Sequence, residues 1–516
     1  MRKINLSKFH IILSLVILAL IIYGLFLCAN SVLHHDIGFN TDIARDFLLL
    51  ENVTQTHKLP LIGPRSGGIP GIFHGPLWLY LNLPVYIIGG QNPVAIGWFW
   101  IGLIAVLGAG VYAVGKKVYG HTVGLLAALL VIIVSVPSAS SLFNPFGAVL
   151  FAPIFFYLFY LFYQKEKYIY LLCSLLIAGV LIQFQIAFGA PILVLASLII
   201  FAKIIKSKKW RYFSAYLVLL IPFSTYIMFD VRHQFLELHA LFDYVAGSSV
   251  HLKGFTLISM LQNRIDGISN SLVGLQYPTL LLTVAILSYF AYLLYKSVRT
   301  RHTNQAVFCL LYFYFFFGYW LSTLLFRGVV WSYYYWPFIP MSLLLISAGW
   351  KTINKFIFVI FFIAVFSSGL NYAQGYASSQ ISGFIGKDTG SWVFNYQVAK
   401  TVFNMGSKSF GYYIFSPDEF GYSPRFAMDY VGLRYPNVKV SPYTKQQVTY
   451  LEIEPAGGKN NSIGGGWWRV HRVRITGSAD KTISFSNGFK IEKYSLTSEQ
   501  MQVPSDPNLV NSLFFR

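Results

Sequence analysis

The stretch His34-His35-Asp36-Ile37-Gly38-Phe39-Asn40-Thr41-Asp42-Ile43-Ala44-Arg45-Asp46 sets three carboxylates within eleven positions, directly after a first long apolar run. Acids are scarce elsewhere: the 516-residue chain holds 19 Asp+Glu against 39 Lys+Arg, with 55% hydrophobic residues. On either side of this stretch, long apolar runs alternate with short basic loops. Crossing a bilayer takes about 20 mostly apolar residues. Eleven candidate spans emerge at 9–29, 94–115, 122–138, 145–163, 169–185, 188–205, 212–229, 277–296, 305–325, 334–350 and 355–373. Segment 77–90 is also apolar, but Pro84 interrupts it, so it reads as interfacial or re-entrant rather than as a twelfth span. A mean hydropathy of +0.57 with only 11% charged residues places the chain among integral membrane proteins.

Lys/Arg placement sets the expected orientation. Arg2, Lys3 and Lys8 precede the first span, Lys116 and Lys117 follow the second, and Lys165 and Lys167 follow the fourth. Lys203, Lys206, Lys208, Lys209 and Arg211 separate the sixth and seventh spans. Lys296, Arg299 and Arg301 follow the eighth, and Lys351 and Lys355 follow the tenth. Every second loop is basic, which predicts a cytoplasmic N-terminus and, with an odd span count, an extracytoplasmic tail. The net charge of +20 comes largely from these anchors, so it argues for a membrane and not for a nucleic-acid partner. The first span resembles an uncleaved signal anchor. Cys28, Cys173 and Cys309 lie in or at the edges of spans and offer neither a disulfide framework nor a metal spacing.

The predicted architecture is a polytopic α-helical membrane domain over 1–374, with large outside loops at 30–93 and 230–276, followed by a small extracytoplasmic α/β domain over 375–516. Strand-like alternation in the tail falls at 411–415, 448–453 and 467–473, and a helical pattern at 391–404. A Gly/Ser-rich stretch at 375–390 reads as the joining segment.

Residues 42–51 suit a short amphipathic helix with Ile43, Phe47 and Leu50 on one face. Asp42 and Asp46 then share another face at i,i+4, where like charges raise one of the two pKa values, and Arg45 partly offsets this. That arrangement serves a general base with an orienting acid beside a cation. It equally serves a solvated helix start, where acids favour the macrodipole. His74, where the chain returns to the membrane interface, can bond a phosphate or sit as an interfacial amphipath. Asp230, Arg232 and His233 end the seventh span, and Arg327 lies between the ninth and tenth. An Arg fork suits phosphate; an interfacial anchor explains the same residues. The run Trp331, Tyr333, Tyr334, Tyr335 and Trp336 reads as an aromatic belt that can also stack on a sugar or cover a prenyl chain. No P-loop, G-x-S-x-G elbow, His-Glu-x-x-His or paired-Cys motif occurs. Nor is there a strong set of ionisable residues at mid-span depth, as an ion-coupled transporter needs.

These features together resemble the GT-C glycosyltransferases, in the bacterial branch similar to protein O-mannosyltransferases and lipid A aminoarabinose transferases (family 39-like). The resemblance covers about residues 1–375. It rests on an N-inside first span and a large outside loop carrying Asp36 and Thr41-Asp42-Ile43-Ala44-Arg45-Asp46. Pro60-Leu61-Ile62-Gly63-Pro64, His74-Gly75-Pro76-Leu77, Phe229-Asp230-Val231-Arg232-His233 and Tyr335-Trp336-Pro337-Phe338-Ile339-Pro340 follow in order. The resemblance implies inverting transfer of a sugar from a polyprenyl-phosphate donor to a lipid, glycan or protein acceptor at the outer face of the cytoplasmic membrane. A loop-one aspartate would act as base or acceptor orienter. The chain departs from the family's usual Asp-Glu pair. One alignment places Asp36-Ile37 at that pair and Asp42 at a later acid. Another gives Asp42 the key role, and its local context is the richer match. Arg45, His74, Arg232, His233, Arg327 and Tyr335 are the expected substrate-binding residues. No cofactor follows from the resemblance beyond a possible divalent metal.

Phosphate is a competent leaving group, so one base suffices for such a transfer, whereas a glycosidase needs two carboxyls. Two other readings fit a polytopic chain. A polysaccharide flippase or other transporter predicts inverted repeats and broken helices. An O-antigen ligase or polymerase makes Arg232 and His233 primary and the loop-one acids dispensable.

Overall fold

The protein is described by a computed structural model over residues 6–66, 69–246, 257–273, 279–301, 303–326, 328–418, 420–455 and 464–509. In chain order its main helices are α1 (Leu6–Cys28), α2 (Thr41–Thr56), α3 (Leu77–Ile88), α4 (Pro93–Val118), α5 (His121–Ser135), α6 (Asn144–Lys165), α7 (Tyr168–Phe184) and α8 (Ile186–Ser207). A 3₁₀ stretch Trp210–Leu219 leads into α9 (Leu220–Arg232), then α10 (Leu236–Val245), α11 (Leu257–Val273), α12 (Leu280–Arg299), α13 (Asn304–Thr323), α14 (Ile339–Ser347) and α15 (Lys355–Ser379). The tail adds α16 (Trp392–Asn404), β1 (Ser409–Phe415), α17 (Tyr422–Gly432), β2 (Lys439–Pro442), β3 (Val448–Ile453), β4 (Lys481–Ser484) and β5 (Lys490–Ser495).

Among the described residues, nine helical segments are long and apolar enough to cross a bilayer. Eleven spans are expected from sequence, and two of them are shorter than a full crossing helix. One is α7, at 17 residues. The other is the run from Ser332 to Thr352, where Pro337 and Pro340 break the helical ladder into two 3₁₀ turns and the nine-residue α14. Pro222 has a similar effect at the seventh span: the backbone before it is 3₁₀ and only becomes α from Leu220.

Hydrogen bonds sort the ends of these segments onto two faces of the bundle. On one face, the Tyr119 hydroxyl and the Gln305 amide tie the end of α4 to the start of α13, at 3.5 Å each. There too Glu166 pairs with Lys203 and Lys209 at 2.7 Å, and Lys296 Nζ donates to Thr352 O at 2.8 Å. This face carries the basic anchors. On the other, Gly75 N donates to Gln183 O at 2.9 Å at the end of α7, and the Phe143 ring meets Tyr333 at 5.5 Å before α14. The two short segments therefore run between the same faces as the nine long ones. The helix α3, with Pro84 inside it, starts and ends near the second face, as an interfacial or re-entrant segment does.

Loop one and the tail are folded together on that second face. Asn40 caps α2 by accepting from Ile43 N at 3.2 Å, and His57 ends the helix at φ 55°. Ile43, Phe47 and Leu50 are all buried, as the amphipathic pattern requires. The Phe39 ring meets Phe47, Trp392 and Phe426 at 5.2, 5.1 and 5.4 Å, so one aromatic cluster joins loop one to α16 and α17. The tail sheet has order β2-β1-β3-β5-β4, with β1 parallel to β2 and β3 and β5 antiparallel to β3 and β4.

Two expectations for the tail change. The stretch 467–473 is not a strand but a helical turn, Gly465–Trp468, continued by a π turn, Arg469–Val473. The Trp467 and His471 rings stack at 4.7 Å across one turn, a pairing at i,i+4 that a strand would separate. The joining stretch 375–390 is helical as far as Phe384, because Ala373, Ala377 and Gln380 extend the buried stripe of α15 beyond the last span residue.

Candidate active site

The site grows from the first turn of α2. Asp42 lies at its N-terminus with a half-exposed side chain (53%), and Arg45 Nη1 donates to its Oδ1 at 2.6 Å. The same guanidinium turns its other edge to Asp46, with Nη2 and Nε at 2.9 and 3.2 Å from Oδ1. Asp46 is buried, and its Oδ2 has no partner among the described residues. Burial pushes the Asp46 carboxyl up to about 6 despite Arg45, and Asp42 adds a smaller upward push. Arg45 is held charged by the two acids, although burial works against it. The expected i,i+4 pair is thus a three-member unit: an exposed carboxylate, a forked cation and a buried carboxyl behind it.

His74 reaches this unit from a hairpin. Gly63 N donates to His74 O at 2.7 Å and His74 N to Pro64 O at 2.9 Å, so the Gly63-Pro64 and His74-Gly75 stretches pair side by side. A Cβ on Gly63 would lie 2.3 Å from Gly75 O, which explains why glycine occupies this crossing. His74 is buried, and its Nδ1 has no partner among the described residues. Burial, then the charge of Arg45, lowers its pKa to about 4, so the ring is neutral at pH 7.

Asp36 stands apart from this chemistry. It is fully buried, accepts from Ile37 N and Val393 N at 2.9 and 3.0 Å through Oδ1, and from Ser391 Oγ at 2.6 Å through Oδ2. Every bond it makes is to loop one or to the start of α16. Burial raises its pKa, and these hydrogen bonds oppose the rise. Its side chain clamps the tail to loop one.

The remaining candidates scatter. Arg232 and His233 are exposed at the end of α9, with His233 stacked on Phe229 at 4.1 Å and Phe229 in turn against Phe73 at 5.7 Å. That places the pair one aromatic layer from the His74 hairpin, on its outer side. Arg327 lies outside the described residues. Tyr335 is fully buried against Tyr319 at 5.4 Å.

Five contributors stand outside the site residues expected from sequence, and of these only Tyr333 is named there, as part of the aromatic run. Tyr333, two residues before Tyr335, lies within electrostatic reach of Asp42 and Arg45 and packs with Phe143 and Trp336. Tyr422 of α17 is within reach of Arg45. Asp418 accepts from the Thr41 hydroxyl, and Ser423 Oγ donates to Phe39 O at 2.6 Å, so the tail forms one wall of the site. Arg264 is completely buried and donates to Thr323 O, Phe326 O and Gly328 O at 3.3, 2.9 and 2.8 Å. It therefore caps the C-terminus of α13. The belt of aromatics signalled Tyr333; nothing local in sequence signals the others, whose partners are remote.

A divalent metal does not fit these residues. Among the described residues no three His, Cys, Asp or Glu side chains are grouped to hold an ion, and Arg45 occupies the space between the two loop-one acids.

No family model matches the chain, and no curated protein matches it. Solved structures do. ArnT from Cupriavidus metallidurans bound to undecaprenyl phosphate aligns with a TM-score of 0.56 at 11% identity, covering 95% of this chain and 99% of that one. The apo form of the same protein aligns with a TM-score of 0.56 over 93% and 97%. An Archaeoglobus fulgidus oligosaccharyltransferase in complex with zinc and sulfate reaches a TM-score of only 0.45 at 10% identity, over 84% of this chain and 68% of that one. The end-to-end likeness to the first two identifies the fold: the chain is a multi-pass membrane protein of the GT-C fold with a small C-terminal sheet domain.

Proposed function

We propose that the protein is an inverting glycosyltransferase that takes a sugar from a polyprenyl-phosphate donor and moves it to an acceptor hydroxyl at the outer face of the membrane. The observation that carries this reading is the α2 unit: an exposed carboxylate, Asp42, held by a forked Arg45 against a buried carboxyl, on the face of the bundle opposite the basic anchors. The likeness to ArnT, solved with undecaprenyl phosphate, supports the choice of donor class.

In this reading Asp42 accepts the proton of the acceptor hydroxyl as its oxygen bonds to the anomeric carbon. The bond from that carbon to the phosphate oxygen breaks on the opposite side, and the electron pair leaves with the polyprenyl phosphate. Asp46 keeps Arg45 in place, and Arg45 keeps Asp42 aimed. Neutral His74 offers a ring nitrogen to the phosphate without adding charge, while Arg232 supplies a cation at the rim. Tyr333 and Trp336 give the sugar an aromatic wall. The N-terminus then lies in the cytoplasm and the tail outside, following the basic loops.

The test is to incubate the purified protein in nanodiscs with undecaprenyl phosphates carrying different hexoses and pentoses, adding membrane extract as acceptor source. Release of free undecaprenyl phosphate from one donor, with its sugar recovered on an acceptor, is the expected result. A donor that is bound and moved across the bilayer unchanged would favour a transporter instead.

A further inference from the structure

The helix α2 has a second face. With 3.6 residues per turn, Leu48, Glu51, Asn52 and Gln55 point away from Asp42 and Asp46, and Asn52 lies roughly 15 Å along the axis from Asp42. This face borders a cleft of about 560 Å³ whose opposite wall is the later part of α17 and the turn after it. That volume is in the range of small-molecule pockets, roughly 300–1,000 Å³. Its polar lining is Glu51, Asn52 and Gln55 from α2, with Arg425 and Asp429 from α17. Met428, Leu433, Tyr435 and Pro436 supply the apolar surface.

The polar groups are mixed in kind. Gln55 Nε2 donates to Glu51 Oε1 at 3.2 Å, and Asn52 lines the cleft beside them. Burial, with Asp429 nearby, pushes the Glu51 carboxyl up to about 8, and burial pushes Asp429 up to about 6. The cleft therefore presents two carboxyl groups whose ionisation burial opposes, two amides that donate and accept, and a guanidinium. With one guanidinium beside two carboxyl groups, the cleft has no surplus of cations to hold a phosphate or other anion. Among the described residues no side chains are grouped for a metal ion. Alternating donors and acceptors beside aromatic and aliphatic patches suit the hydroxyls and C–H faces of a neutral sugar.

We propose that this cleft binds a carbohydrate segment of the acceptor, away from the hydroxyl that receives the new sugar. The proposal rests on the glycosyl-transfer reading and names its acceptor as a glycan or glycoconjugate. A glycan held here would lie along the same helix that carries the proton acceptor, so α2 and the tail together would set its register.

The test uses the full-length protein in nanodiscs on a microarray of neutral oligosaccharides built from mannose, glucose, galactose and N-acetylglucosamine. The best binder is then titrated against wild type, Asp429→Asn, Gln55→Leu and Asp42→Asn. Affinity should fall about tenfold or more in Asp429→Asn, which loses a buried carboxyl, and about threefold in Gln55→Leu, a rim position. Asp42→Asn, which touches only the receiving hydroxyl, should lower affinity less than Asp429→Asn. The proposal is overturned if no oligosaccharide binds wild type, if neither cleft variant changes affinity, or if Asp42→Asn alone abolishes binding. Gln55 is exposed, so its variant reports even if Asp429→Asn misfolds. Failure of the transfer reading shows separately, as no release of undecaprenyl phosphate from any donor.

Discussion

Asp36 and Asp42 are six residues apart and chemically opposite. Asp36 satisfies both oxygens with Ile37, Val393 and Ser391, while Asp42 keeps half its surface open beside Arg45. Removing the Asp36 carboxyl orphans three buried donors. Asp36→Ala should therefore cost about 3 kcal/mol or more, read as a lower unfolding temperature of the membrane-extracted protein. Asp46 gives a pH prediction. Its folded-state value of about 6 lies above the ordinary carboxylate value of 3.8, so stability from this group is greatest at low pH and declines as pH rises toward 6. Its role in turnover has the opposite sign, because only the ionised form holds Arg45. Turnover should fall as pH drops through about 6, and Asp46→Asn should remove that limb from the profile while lowering the plateau. The sequence sets these acids in one stretch and cannot separate their surroundings. The partner that makes Asp36 a clamp is Ser391, 355 positions away.

Among the elements, the loop-one helix is legible because its period and its Asn40 cap are local. The hairpin behind His74 is legible only as two separate motifs, since the pairing of 63–65 with 73–75 spans a turn without strand-like alternation. The pairing makes a prediction. A Cβ on Gly75 would lie 1.9 Å from Gln183 Oε1 and 2.9 Å from Gln183 Cα. Gly75→Ala should cost about 1–3 kcal/mol by overpacking and displace His74, so donor binding should weaken more than the unfolding temperature alone accounts for. A titration with undecaprenyl phosphate checks this; unchanged affinity would mean His74 does not face the donor. Strand prediction fails at 467–473 because aromatic and basic residues alternate there while the Gly464–Gly466 run before them starts a helical turn.

For the whole molecule, the alternation of basic loops gives the layout of spans, and the bonds linking Tyr119 to Gln305 and Lys296 to Thr352 bring those loops to one face. The docking of the tail onto loop one is not legible, because Phe39, Trp392 and Phe426 read as unrelated aromatics until the chain is folded. The orientation we propose predicts that a cysteine at the exposed Ser478, in a background lacking the native cysteines, is labelled by a membrane-impermeant maleimide in intact cells. Labelling only after lysis would place the tail and α2 in the cytoplasm, away from an outer-face donor.

We propose Asp42, and not Asp36, as the proton acceptor of the glycosyl transfer. The most direct test is the rate of sugar transfer from the active undecaprenyl-phosphate donor by Asp42→Asn and Asp36→Asn, each normalised to folded protein. Asparagine at 36 can still accept the Ile37 and Val393 amides, so that variant should keep most of its turnover. Asparagine at 42 removes the base, so that variant should lose about 10²–10⁴-fold while still binding donor. Near-normal turnover by Asp42→Asn together with loss in Asp36→Asn would contradict the assignment of the base.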